Sequence, residues 1–238
     1  MYNQHSGPPP VTTINQATAQ ASTVFLAKVF NWMAVGLLLT AVSAYVVASS
    51  PALQQIIYPI HIVLALAELG LVFFLSARIQ KISAQTATAL FVAFSVLNGM
   101  TLSAILLIYT MTSIASTFIV TAGMFGSMAI YGMVTKKDLT GMGSFLMMGL
   151  FGIIIASVVN IFMASSMMAW VISGLGVIIF TGLTAYDVQK ITQIGASGIM
   201  EQGDVAIQKM AIMGALTLYL DFINLFLMLL HFLGNRRD

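Results

Sequence analysis

The chain has 238 residues, of which 59% are hydrophobic and only 7% charged, with a formal net charge of +2. That charged share is far below the quarter or so usual in soluble domains, and apolar stretches of about 20 residues, the length a hydrocarbon core of about 30 Å demands, recur throughout. The composition describes an all-α polytopic membrane protein with no water-soluble domain large enough to fold alone, and the lack of cysteine excludes disulfides, thiolate nucleophiles and zinc–thiolate sites.

Residues 1–23 are polar and include the run Pro8–Pro10. Such a segment cannot bury enough apolar surface to offset the entropy of ordering it, so it reads as a flexible cytosolic tail. It lacks the basic and apolar runs of a secretory signal. A transmembrane domain, 24–238, follows with seven spans near 25–48, 56–77, 86–108, 114–134, 144–163, 168–194 and 205–233. The joints carry turn punctuation: SSP at 49–51, TKKDLTG at 135–141 and GASG at 195–198. The first two spans show almost no charge on any face, which argues against a soluble amphipathic bundle.

Basic residues orient the chain. Lys28, Arg78, Lys81, Lys136, Lys137, Lys190 and Lys209 fall at the tail or at the even-to-odd turns, and only Arg236 and Arg237 fall on the other side. The N-terminus is expected in the cytoplasm and the C-terminus on the opposite side. Small residues at four-residue spacing (Gly99 and Ser103, Gly123 and Ser127, Gly152 and Ala156) are expected to let helices approach closely. The seventeen methionines show no regular spacing and read as adaptable packing.

No nucleotide-loop, dinucleotide-binding, zinc-protease, serine-elbow or EF-hand pattern is present, and no basic patch suggests nucleic acid as a partner. No cofactor is implied. Chemistry must rest on the acids inside the spans: Glu68, Asp187 and Asp221. Asp221 stands mid-span, where a carboxylate costs about 2.5–3.5 kcal/mol on insertion scales. Gly214, Thr217, Asp221, Asn224, Met228 and His231 follow steps of 3, 4, 3, 4 and 3, so they form one stripe along the seventh helix. Hydrogen-bonding groups in lipid must face protein or water, which puts this helix in the bundle interior. A purely structural Asp221 is the plain alternative, but asparagine would serve that role without the charge. In the second span His61, Glu68, Leu75 and Arg78 share a face. His61 reads as an interfacial residue and Arg78 as a headgroup anchor, while Glu68 stands mid-span. The topology puts Asp187 and Arg78 toward the same side, where they can pair.

GLTAYDVQK in the sixth span and GALTLYLDFINLFLMLL in the seventh closely resemble the Bax inhibitor-1 family, in its bacterial branch of small inner-membrane proteins. ASTFIVTAGMFGSMAIYG at 115–132 and the TKKDLTGMG turn extend the resemblance over all seven spans. It implies a bundle whose last helix is wrapped by the other six, agreeing with the polar stripe. It further implies a pH-sensitive calcium leak, non-enzymatic, in the cell inner membrane and controlled by two aspartates. By motif these are Asp187 and Asp221, which are also the candidate calcium ligands, and Arg78 is the implied closing partner. Glu68, Thr217 and Asn224 are candidate pore-lining or supporting groups. The expected partners are the lipid bilayer, calcium and protons, with other membrane proteins, among them proteases, as further candidates.

Two carboxylates in a desolvated site cannot both ionise cheaply, so a shared proton near neutral pH suits a switch. One geometric difficulty stands against it. With Lys190 and Lys209 as interface markers, Asp187 lies 3 residues deep and Asp221 lies 12. At about 1.5 Å per residue the mismatch is roughly 13 Å, to be closed by a longer sixth helix, by tilt or by a break. Paired aspartates also resemble the diaspartyl intramembrane proteases, but the GxGD and Pro-Ala-Leu motifs of those enzymes are absent. A non-conducting modulator of other membrane proteins is the remaining alternative.

Overall fold

The computed structural model describes residues 11–237, with side chains from Thr18 onward. The described helices are α1 (Val11–Ala48), α2 (Pro51–Ile57), α3 (His61–Arg78), α4 (Ala84–Leu102), α5 (Ile105–Ile108), α6 (Met111–Val134), α7 (Thr140–Met163), α8 (Ser166–Ala196) and α9 (Asp204–Leu233). They make seven spans long and apolar enough to cross a membrane, with α2 and α3 forming the second and α4 and α5 the third. No strand forms among the described residues beyond one isolated bridge, so the all-α class is as expected.

One expectation is corrected at the start of the chain. The flexible tail predicted over residues 1–23 is helical from Val11 onward, and residues 1–10 lie outside the described part. The segment after Pro10 has no helix breaker, and it gains a docking point. Ser22 is 6% exposed and donates from Oγ to the Thr192 carbonyl at 2.5 Å. Gly195 leaves the room for that approach.

The helix starts are written locally. Ser50, Ser83, Thr110 and Ser165 each accept a backbone N–H of the first turn, and Pro51 follows Ser50 in the first helical position, where a missing N–H costs nothing. Between α2 and α3, Pro59 sits in a 3-10 turn, Tyr58–Ile60. The α6–α7 turn is fixed by Gln189 of α8, which accepts from Leu139 N at 2.9 Å and donates to the Lys137 carbonyl at 2.8 Å. In the same turn Thr140 bonds through its side chain and backbone to Asp138, holding that exposed carboxylate below its ordinary range.

These contacts gather the helix ends that carry most of the basic residues. Ser22 meets Thr192, Gln189 meets the α6–α7 turn, and Lys209 Nζ donates to the Gln80 carbonyl at 2.9 Å. At the opposite end Thr110 N donates to the Asn235 carbonyl at 3.1 Å and Arg237 N to the Ile108 carbonyl at 2.8 Å, strapping the end of α9 over the α5–α6 turn.

Helix α9 is the most enclosed: 61% of its apolar stretch is buried, against 39% for α8 and 11% for α7. It packs against α8, α1, α6, α4 and α3, while α7 leans on α8. Without a hydrophobic drive between helices in lipid, close backbone approach supplies the packing. Gly99 is such a point, lying against Ser43 and the Thr40 backbone of α1, with Ser103 fully buried one turn on. Two of the expected small-residue pairs do not act this way, because Gly123 and Gly152 face open space. The close approaches to α8 instead use Gly132 of α6 and Gly143 of α7, against Ala185 and the Tyr186 ring.

Candidate functional site

Glycine sets the α8–α9 turn. Gly198 and Gly203 have φ of +81° and +86°, values that side chains disfavour, and between them Ile199 tucks into the core. The register along the hairpin is fixed by Ile191 against Gly214, Met228 on Gly176, and Trp170 stacked on Phe232 with ring centroids 4.8 Å apart. In this register Asp187 and Asp221 come level. Helix α8 continues to Ala196, and the two lysines prove to be poor depth markers. Lys209 reaches out to the turn between α3 and α4, whereas Lys190 lies along the same cavity wall as Asp187.

The carboxyl groups of Asp187 and Asp221 lie within hydrogen-bonding reach of each other. Asp221 is 5% exposed, and its Oδ2 meets no hydrogen-bond donor among the described residues. A proton held between the two carboxyls would relieve the repulsion of two like charges in a dry site. Asp187 is partly buried, with Lys190 as its nearest opposite charge.

The pair opens into a cavity of about 690 Å³ between α7, α8 and α9. Thr217, Asp221, Asn224 and Met228 of the predicted stripe line it, and apolar residues of α7 such as Leu150, Ile153 and Ile154 form the facing wall. Thr217 Oγ1 donates to the Met213 carbonyl at 3.1 Å, and Asn224 Nδ2 donates to the Leu220 carbonyl at 2.8 Å. The Thr217 hydroxyl proton and one of the two Asn224 amide protons are thus spent on α9 itself, leaving acceptor oxygens for the cavity. Carboxylate, amide and hydroxyl oxygens are the ligands a hard cation prefers. No group of three or more His, Asp or Glu side chains converges among the described residues, so the set lacks the charge to retain a dehydrated divalent ion.

The other candidates lie elsewhere. Arg78 is exposed at the end of α3 and makes no ion pair with Asp187 in this arrangement. His61 is exposed and bonds the Tyr58 carbonyl at 2.6 Å. Glu68 is buried but faces α4, accepting from Asn98 Nδ2 at 2.8 Å and from Thr101 Oγ1. Asn98 Oδ1 in turn accepts from the Tyr219 hydroxyl at 2.8 Å, and that hydroxyl meets Thr40 Oγ1 at 2.6 Å. A polar chain therefore ties α3, α4, α9 and α1 together on the side of α9 away from the aspartates.

Sequence reasoning passed over Lys190, Asn98, Thr101, Tyr219 and Thr40. A signal existed for three of them. Lys190 follows Asp187 by one helical turn, and Asn98 and Thr101 are polar groups one turn apart inside a span. Nothing local distinguishes Tyr219 and Thr40, whose partners come from distant helices.

With this geometry in place, comparison with known proteins gives a consistent result. A family model described as "Inhibitor of apoptosis-promoting Bax1" matches residues 22–238. Inner membrane protein YbhL of Escherichia coli (strain K12) is 51% identical over 216 residues, covering 90% of this chain and 92% of that protein. An uncharacterized protein of Borreliella burgdorferi is 52% identical over 218 residues, covering 90% and 93%. Another uncharacterized protein, RP147 of Rickettsia prowazekii, is 44% identical over 230 residues, covering 95% and 96%. The chain belongs to the Bax inhibitor-1 family.

Proposed function

We propose that this Bax inhibitor-1 family protein is a pH-sensitive calcium leak: a passive route for cations whose opening follows the protonation of Asp187 and Asp221. The observation that carries the reading is the carboxyl pair at the wall of the 690 Å³ cavity, Asp221 buried and Asp187 partly buried, with an oxygen on Asp221 that meets no donor among the described residues. Loss of a proton from the pair adds one negative charge beside the oxygens of Thr217 and Asn224, a charge that recruits either a cation or the Arg78 guanidinium. Two carboxylates without a third acidic group bind calcium weakly enough to release it, as passage requires. Calcium here is cargo, and the chemistry is transport without catalysis. Arg78 serves as the closing partner in a second arrangement, in which it reaches Asp187. The resemblance to YbhL supports an inner-membrane location, and the asymmetry of basic residues supports a cytoplasmic N-terminus with the C-terminus opposite.

The test is calcium flux into proteoliposomes of the purified protein against pH, with protein-free vesicles as control. Flux that follows pH and depends on both aspartates is expected. A folded, inserted protein that gives no flux at any pH overturns the leak and leaves a non-conducting modulator of other membrane proteins.

A further inference from the structure

A second space, a hollow of about 320 Å³ that is more open to the surface, adjoins the aspartate cavity toward the C-terminal end of α9. Its lining is more polar than the apolar α7 wall beside the aspartates: Ser157, Asn160, Ser173 and His231 contribute. The two cavities share Ser157 and Ile161 of α7 and Met228 of α9. Met228 lies between Asn224, on the aspartate side, and His231, on the other, along the same stripe of α9. Its thioether lies flat on Gly176 of α8, where an added Cβ would meet Met228 Cγ and Sδ at 2.8 Å. Across the passage, Ser157 donates its hydroxyl to the Ile153 carbonyl at 2.7 Å and so turns its proton away from the passage. An unbranched, flexible side chain standing where the two spaces share their lining can swing clear without moving the backbone.

We propose that Met228, seated on Gly176, is the constriction that separates the aspartate cavity from an aqueous vestibule built by Asn160, Ser173 and His231. The vestibule gives the route its second mouth, on the side of the membrane that holds the C-terminus. This inference rests on the leak reading for its purpose but not for its geometry. Shortening Met228 joins the two spaces, and a hydrophobic plug at this point holds water out until it moves.

The chain has no cysteine, so single introduced cysteines report unambiguously. His231→Cys and Asn224→Cys are labelled in separate samples with a membrane-impermeant maleimide applied to one face of the membrane at a time. His231→Cys should label rapidly from one face, which identifies the vestibule side. From that face Asn224→Cys should label slowly with Met228 present and many-fold faster in Met228→Ala. Met228→Val should be intermediate, and it keeps the test usable should the alanine variant fail to fold. Met228→Ala should also raise calcium flux several-fold while the pH response, which belongs to the aspartates, persists.

Absence of labelling at His231→Cys from either face overturns the vestibule. Labelling of Asn224→Cys that is equally fast with or without Met228 overturns the constriction, even where calcium flux is robust. Faster labelling in Met228→Ala with no calcium flux in any variant upholds the constriction and removes the leak reading instead.

Discussion

Replacing Asp221 by asparagine separates titration from hydrogen bonding at the same position. The amide keeps an acceptor oxygen and can offer Asp187 an N–H, but it cannot change charge with pH. The second amide proton has no evident partner in a site that is 5% exposed, a cost of about 1–3 kcal/mol that the bundle can absorb. Function should change far more. One shared proton linked to opening limits the open-to-closed ratio to a change of about tenfold per pH unit, equivalent to about 1.4 kcal/mol. In proteoliposomes the wild-type calcium flux should therefore vary by up to about a hundredfold between roughly pH 6 and 8, in line with that limit. Asp221→Asn should be nearly flat over the same interval, and Asp187→Asn should match it. The double variant should add little, because the two groups titrate as one unit. An unchanged pH profile in Asp221→Asn would falsify the shared-proton switch. A wild-type dependence much steeper than tenfold per unit would require a second titrating group.

Three further outcomes follow from the packing. Arg78→Ala should raise basal flux under closing conditions more than Lys81→Ala does, and equal effects would reduce Arg78 to a headgroup anchor. Tyr219→Phe removes the hydroxyl that joins Asn98 to Thr40 and should destabilise the protein by about 1–3 kcal/mol in detergent unfolding, with strong non-additivity toward Asn98→Ala. Gly99→Ala drives a methyl group into the α1 backbone and should lower the unfolding temperature by several degrees, whereas Gly123→Ala, facing open space, should change it little. Similar effects at the two glycines would mean that the α1–α4 approach does not bear on stability.

The fold was legible because lipid simplifies the code. Backbone groups must be satisfied within each span, so apolar length and turn residues such as Ser50–Pro51 nearly determine the elements. The helical residues before 23 were hidden because their stability comes from docking Ser22 on α8, a contact with no local signature. The stripe on α9 was legible for the same reason as the spans: a polar group in lipid must have somewhere to face. Which residues it faces was not. Depth counted from Lys190 and Lys209 set the aspartates roughly 13 Å apart, whereas Gly198, Gly203 and the buried Ile199 shift the hairpin register and bring them level. Small-residue spacing also misled at Gly123 and Gly152, since a glycine row permits an approach without supplying the partner.

The two polar sets on α9 divide the mechanical work. Tyr219 and Asp221 are two residues apart, so they point to nearly opposite sides of the helix. On the Tyr219 side, hydrogen bonds to Asn98 and Thr40 clamp α9 to α4 and α1, and the strap through Asn235 and Arg237 holds its end. On the Asp221 side the helix faces a cavity, and α7 across it is held mainly through α8, where Gly143 meets Tyr186 and Leu146 meets Gly182. A charge gained or lost at the aspartate pair therefore acts on a fixed α9 and a less constrained α7. The hypothesis is that α7 moves as the pair titrates while α9 stays with α8, α1 and α4. Spin labels on exposed sites of α7 and α4, each paired with one on α9, distinguish the two partners. The α7–α9 distance should change between roughly pH 6 and 8, and the α4–α9 distance should not; both responses should vanish in Asp221→Asn. Movement of α9 relative to α4 over the same interval would show that the Tyr219 network does not hold the helix in place, and would assign the moving part to α9 itself.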